Sequence, residues 1–386
     1  MIERTIKFEL LKLIKEYPVI TILGPRQAGK TTLVRSVLKD FMYCNLETPE
    51  NRQLATRDPN TFLSQFKGPV ILDEIQRVPE LLSYIQVLVD EQKINGSFVL
   101  TGSHQLQLKQ SILQSLAGRT AILQLLPLSI EELKSADIKF DNFTDYIIHG
   151  FFPRIYDQKQ RPQQAYSNYY QTYVERDVRQ LINLKDAALF EKFMKLLAGR
   201  VGQLIDYNSL ANDTGVDAKT IKNWLSILEA SFIIFKLSPY FENFGKRVIK
   251  SPKYYFIDVG LLAFLLGIET SEQVSRDPLV GNIFENLIVI ECLKAKLNVS
   301  KIPNIYFFRD SSGNEIDLIL QIGRELIPLE IKSSATFSAS LVSKFQKTIN
   351  FMNFPKAFLV YNGESKSIDS KIRALNFSEC IKILDK

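Results

Sequence analysis

Residues Gly24-Pro25-Arg26-Gln27-Ala28-Gly29-Lys30-Thr31 spell G-x-x-x-x-G-K-T, directly after the apolar run Val19 to Leu23 and ahead of Thr32 to Leu38, which reads as a helix. The pattern demands a strand, a tight loop and a helix in succession, with the loop backbone turned so that its N–H groups converge. Glycines at both ends let the backbone wrap closely around a triphosphate, and the dipole of the following helix favours the same negative charge. Lys30 is expected to neutralise the β- and γ-phosphates and Thr31 to ligate Mg²⁺ through its hydroxyl. The expected nucleotide-binding set is therefore Gly24, Pro25, Arg26, Gln27, Ala28, Gly29, Lys30, Thr31 and Thr32, with ATP and Mg²⁺ as the ligands. A chance Gly/Lys turn is the competing reading, and the strand-loop-helix context argues against it.

Apolar strand-like runs recur at Val19 to Leu23, Val70 to Leu72, Phe98 to Leu100 and Ala121 to Leu125, with helical segments between them. Such alternation implies a parallel sheet covered by helices. Val70-Ile71-Leu72 runs straight into Asp73 and Glu74, the Walker B pattern. Asp73 is expected to hold Mg²⁺, and Glu74 to orient and polarise the water that attacks the γ-phosphate. Ser103 follows another strand in Leu100-Thr101-Gly102-Ser103 and is the candidate sensor of the γ-phosphate, or else a residue of the turn that ends the strand. Arg119, in Ser115-Leu116-Ala117-Gly118-Arg119, could be supplied by a neighbouring subunit to stabilise transition-state charge in a homo-oligomer; an ion pair within the chain is the alternative.

At 386 residues the chain exceeds what one hydrophobic core supports, so two or three domains are expected. With 46% hydrophobic and 23% charged residues it reads as globular, and no apolar stretch is long enough to span a bilayer. The amino-terminal segment lacks the long apolar core of a secretory signal, which implies a cytoplasmic protein without a membrane partner. Cys44, Cys292 and Cys380 are odd in number and far apart, no disulfide framework, and with only His104 and His149 beside them a zinc site is not expected. The formal charge of +6 is unevenly spread: residues 161–253 carry 14 Lys/Arg against 9 Asp/Glu, whereas residues 1–160 carry 19 against 18. That segment is where DNA or RNA would dock, or it is simply a solvated basic surface.

Within that segment, Leu210 to Asp217 followed by Thr220 to Leu225 has the pattern of a helix-turn-helix: Ala211 allows close packing, Gly215 turns the chain and Asp217 caps the second helix. Ile221, Leu225 and Leu228 would form its buried face, and Lys219, Thr220, Lys222 and Asn223 its exposed one. Phe232 to Leu237 and Lys253 to Ile257 could form a wing, and Trp224 reads as core. A winged helix serves equally as a protein-protein spacer.

Beyond a join near Pro278 to Gly281, a helix around Ile283 to Glu291 precedes strands at Asn304 to Arg309, Glu315 to Leu320 and Leu326 to Lys332. Glu285, Asp317, Glu330 and Lys332 stand in an order that resembles the PD-(D/E)xK nuclease signature, with twelve residues between Asp317 and Glu330 and with Ile316 where that signature has proline. Asp317 and Glu330 could chelate Mg²⁺ while Lys332 positions a water or stabilises charge on a phosphorane-like transition state. Glu330 and Lys332, two apart on a strand, share a face. An isolated E-x-K triplet at a solvated strand end is the plainer reading.

The motifs G-P-R-Q-A-G-K-T, V-I-L-D-E-I-Q, L-T-G-S and L-A-G-R followed by L-P-L-S resemble those of bacterial and archaeal AAA-like ATP-binding proteins. The likeness continues through Gly150 to Pro153, Tyr173 to Val178 and Phe256 to Leu261. It implies an α/β chain: a P-loop NTPase parallel sheet with helices over 1–135, a helical lid with a winged-helix-like connector over 136–265, and a restriction-endonuclease-like α/β domain of unknown function over 266–386. The implied function is Mg²⁺-dependent ATP hydrolysis coupled to a nuclease-like domain acting on nucleic acid. The alternative is an ATP-gated switch whose last domain is an inactive module that binds a protein partner.

Overall fold

The computed structural model describes residues 1–103, 112, 114–182, 186–240 and 250–384, so His104 and parts of the basic segment lie outside the described residues. The chain divides into two compact units. One is Met1–Leu128 with Ala230–Phe232 and Leu297–Lys301; the other takes Ser129–Glu229, Ile233–Lys296 and Ile302–Lys386.

The first unit is built on five strands, β1 (Val19–Leu23), β2 (Met42–Asn45), β3 (Val70–Asp73), β4 (Phe98–Gly102) and β5 (Thr120–Gln124), all parallel and ordered β2-β3-β4-β1-β5. β1 and β4 are buried at every position, as strands covered on both faces must be. Ile20, Ile22, Ile71, Val99 and Leu123 pack with Leu33 and Val34 of the helix Lys30–Val37 into its core. The expected strands all form. β2 is an addition that its short, half-polar Met-Tyr-Cys-Asn sequence did not advertise.

Eight strands organise the second unit: β6 (Ile234–Pro239), β7 (Lys253–Phe256), β8 (Ile305–Arg309), β9 (Glu315–Ile322), β10 (Glu325–Lys332), β11 (Ala357–Tyr361), β12 (Lys366–Ser367) and β13 (Ile372–Asn376). Their order is β12-β13-β11-β10-β9-β8-β6-β7. Two helices, Tyr207–Thr214 and Ala218–Ala230, occupy the place expected of the helix-turn-helix. Gly215 ends the first with φ +94°, and Asp217 accepts from Thr220 N at 2.8 Å to cap the second. Ile221, Trp224, Leu225 and Leu228 are buried, while Lys219, Lys222 and Asn223 are exposed. The strands expected to form a wing pair with each other, but β6 also pairs in parallel with β8, Ser238 opposite Tyr306. Because all four residues of β7 are buried, this hairpin is the edge of the eight-stranded sheet and not a projecting wing.

Two of the recurring motifs meet at Asp258. This buried carboxylate caps the helix Val259–Leu265 by accepting from Gly260 N at 2.8 Å, and it also accepts from Phe151 N at 2.9 Å and Tyr166 OH at 2.6 Å. Tyr166 leaves no room for side chains at Gly150 or Gly260, where an added Cβ would lie 1.8 Å from its hydroxyl and 2.3 Å from its ring. The motif glycines are therefore packing requirements of this junction. Asp258→Ala removes a helix cap and strands two buried donors, so it should destabilise the protein by about 3 kcal/mol, measured as a lower urea midpoint at unchanged m-value.

Candidate active site

Open parallel sheets bind ligands beyond the carboxyl ends of their strands, and the strand order decides what converges there. β4 lies between β1 and β3, so the loop after β1, the acids ending β3 and the hydroxyls ending β4 come together. In the phosphate loop Gln27 and Gly29 have φ of +64° and +90°, which turns the backbone into the helix Lys30–Val37. Gly24 has a different reason to be glycine: a Cβ there would stand 2.0 Å from the Leu125 carbonyl oxygen at the exit of β5. Arg4, buried, ties the same two segments together by donating to Ala28 O and Leu126 O, each at 2.6 Å.

Lys30 is buried, and its Nζ donates to Gly24 O and Pro25 O at 2.9 Å. Burial lowers its pKa to about 8 against the opposing pull of Glu74 and Asp73, and Arg26 lowers it further. The Thr31 hydroxyl donates to Asp73 Oδ2 at 2.9 Å, so the two residues expected to hold Mg²⁺ are adjacent. Asp73 also accepts from the Tyr43 hydroxyl at 2.7 Å and from Thr101 Oγ1. Burial and the bond to Asp73 push the Tyr43 phenol well up. Sequence reasoning missed both hydroxyls: Tyr43 sits on the unforeseen strand, and at the end of β4 the role was given to Ser103 alone.

Glu74 stands just past β3 with φ +59°. Its Oε2 accepts from Ser103 Oγ at 3.1 Å and from Gln76 Nε2, which also reaches Ser103 Oγ at 3.2 Å. Ser103 is thus brought to Glu74. Arg119 is not: its guanidinium makes a two-pronged pair with Asp90 at 2.6 and 2.8 Å, and its carbonyl accepts from Val19 N at the start of β1. That is the sheet edge opposite the phosphate loop, and Thr32 is exposed on its helix.

In the second unit the four residues singled out at the carboxyl end do converge. Glu330 and Asp317 face Lys332 Nζ at 2.6 and 3.5 Å, and Asp317 Oδ2 also accepts from Ile331 N at 2.8 Å. Glu285, on the helix Val280–Asn298, is held by Lys253 Nζ at 3.1 Å and by the Tyr255 hydroxyl, both from β7. Lys253 also pairs with Glu315 at 3.0 Å. Burial, with Asp317 beside it, pushes Glu330 up to about 8, and burial raises Glu285 against the pull of Lys253. Burial works against both ammonium groups, yet the surrounding carboxylates outweigh it and hold them protonated. Among the described residues no group of three or more His, Cys, Asp or Glu side chains is arranged to hold a metal ion. No helix among the described residues is long and apolar enough to cross a membrane.

Comparison with known proteins finds three matched regions along the chain. Residues 16–134 match the family described as an AAA domain, residues 140–272 a domain of unknown function (DUF8612) and residues 280–380 another (DUF4143). "Uncharacterized protein Rv2008c" of Mycobacterium tuberculosis is 32% identical over 363 residues, 92% of this chain and 79% of that protein. A Haemophilus influenzae protein is 24% identical over 86% of each chain. Among solved structures, the Walker-type ATPase PABY2304 of Pyrococcus abyssi aligns at a TM-score of 0.45 and 15% identity, over 67% of this chain and 94% of that one. The chain belongs to the family of the M. tuberculosis protein, and its first third is an AAA domain with a phosphate-binding loop.

Proposed function

We propose that the protein is a Mg²⁺-dependent ATPase, and the observation that carries this is the convergence of Lys30, Thr31, Asp73 and Glu74 at one edge of the sheet. The residues fit a metal-bound triphosphate: a buried ammonium, a helix amino terminus with left-handed Gly29, and a hydroxyl against a buried carboxylate. Thr31 and Asp73 would hold Mg²⁺, which would supply charge neutralisation for the triphosphate. Lys30 releases its two carbonyl partners to take phosphate oxygens. Glu74 accepts a hydrogen bond from the attacking water, and Ser103 holds its carboxylate in place. Arg119 acts on the nucleotide of a neighbouring copy in a homo-oligomer, since within its own chain it lies at the sheet edge away from the phosphate loop.

We infer a three-part organisation, ATPase over 1–135, a connector over 136–265 that keeps the helix-turn-helix pair without a projecting wing and lends β6 and β7 to the last sheet, and a nuclease-like domain over 266–386, working in the cytoplasm on DNA or RNA. The cluster of Glu285, Asp317, Glu330 and Lys332 supports a nuclease-like reading, and exposed Lys219, Lys222 and Asn223 support contact with nucleic acid. A second reading has its own support. Lys253 and Lys332 already neutralise part of the acid cluster, as suits an inactive module that binds a protein partner under ATP control.

Phosphate release from Mg²⁺-ATP should be abolished in Lys30→Ala, while Glu74→Gln should retain bound ATP and slow release on the order of 10²-fold. Full turnover in Lys30→Ala removes the phosphate-loop assignment. ATP affinity should also depend on pH. Phosphates raise a Lys30 pKa that stands at about 8 in the free chain, so binding above that pH takes up a proton. Affinity should therefore weaken by about tenfold per unit above about pH 8, read by titration of a fluorescent ATP analogue. Mg²⁺-dependent cleavage of DNA or RNA that disappears in Asp317→Ala supports the nuclease-like reading. Intact substrates at every Mg²⁺ concentration support the binding module.

A further inference from the structure

Gln76 lies two residues beyond Glu74, on the single 3-10 turn Ile75–Arg77 that leaves the end of β3. Its Nε2 donates to both Glu74 Oε2 and Ser103 Oγ. The other end of the same carboxamide is different: Gln76 Oε1 is buried and has no hydrogen-bond partner among the described residues. Buried side-chain acceptors are nearly always paired, and an exception asks for a ligand or a water. Turning the amide over does not relieve it, because Oε1 would then face the Glu74 carboxylate. Both ends of the carboxamide share one carbon, so the unpaired oxygen stays within one amide width of the group assigned to the attacking water.

We propose that Gln76 is a second water-orienting residue of the ATPase site, an inference that rests on the ATPase reading above. With ATP bound, Gln76 Oε1 accepts one hydrogen of the attacking water and the Glu74 carboxylate the other. The carboxamide gains and loses no proton. As the water oxygen bonds to the γ-phosphorus and the bond to the bridging oxygen breaks, the electron pair leaves with ADP and the water's proton passes to Glu74. A side-chain carboxamide that orients water for the same displacement is a known solution in nucleotide hydrolysis. The glutamine also fixes which carboxylate oxygen is free, because Nε2 and Ser103 both hold Oε2.

Gln76→Leu, which keeps the bulk and removes both polar ends, is measured beside the native chain and Lys30→Ala. The expected result is phosphate release slowed on the order of 10²-fold, with the affinity for ADP and for a fluorescent ATP analogue changed by less than about threefold. ADP with aluminium fluoride and Mg²⁺, which needs an ordered water, should bind Gln76→Leu no more tightly than ADP alone while binding the native chain more tightly. Native-like turnover in Gln76→Leu overturns this proposal alone, and so does a loss of turnover matched by an equal loss of nucleotide affinity, which marks a residue that only holds the turn. Absence of Lys30-dependent phosphate release in the native chain overturns the ATPase reading and this proposal with it.

Discussion

Asp73 is a carboxylate almost wholly removed from water, and such a group is stable only where hydrogen bonds replace its hydration. Three hydroxyls do so, and each comes from a different element: Thr31 from the helix after the phosphate loop, Tyr43 from β2 and Thr101 from β4. The register follows from the same requirement. Asn45 stands opposite Asp73 and Leu72 opposite Leu100, so the strands flanking β3 end where their hydroxyls can reach one carboxylate. A shift of one residue in either strand would turn its hydroxyl to the other face of the sheet.

The acid cluster of the second unit meets the same difficulty by another route. Glu285, Glu315, Asp317 and Glu330 have three cations among them, Lys253, Lys332 and, on Glu315, Arg309, so the carboxylates still outnumber the positive charges. Burial pushes Glu330 up to about 8, so a proton on that carboxylate makes up the difference near neutral pH, and burial raises Glu285 in the same direction. Where hydroxyls satisfy Asp73, this cluster is held by ion pairs and, at Glu330, by protonation. It therefore responds to anything that adds or removes positive charge nearby.

What could be read from the sequence was what is local. G-x-x-x-x-G-K-T and the Asp73-Glu74 pair lie on contiguous residues, and their roles depend on a strand ending where the apolar run ends. Contacts set by strand order were not readable. Arg119 was read either as a residue offered to a neighbouring subunit or as an ion pair within the chain, and the ion pair, with Asp90, forms at the entry edge of β1 and not the exit. Gly24 was read as room for a ligand, whereas its neighbour is the Leu125 carbonyl. Lys253 and Tyr255 reach Glu285 only because β7 closes the sheet beside the helix Val280–Asn298, and an apolar Tyr-Tyr-Phe run suggested a wing instead.

The phosphate loop holds two cations at close quarters. Burial and the nearby Arg26 both disfavour the charge on Lys30, and only the carboxylates of Glu74 and Asp73 oppose them. Carbonyl oxygens of Gly24 and Pro25 accept from the ammonium, yet neutral acceptors do not cancel its repulsion with a guanidinium. An anion entering the loop reverses the sign of the local field, so it stabilises Lys30 and Arg26 together and meets the amino terminus of the helix as well. The preference for a polyphosphate over a neutral ligand is thus built in before any contact to a base or sugar, since the same burial that makes the lysine charge costly strengthens its attraction to phosphate.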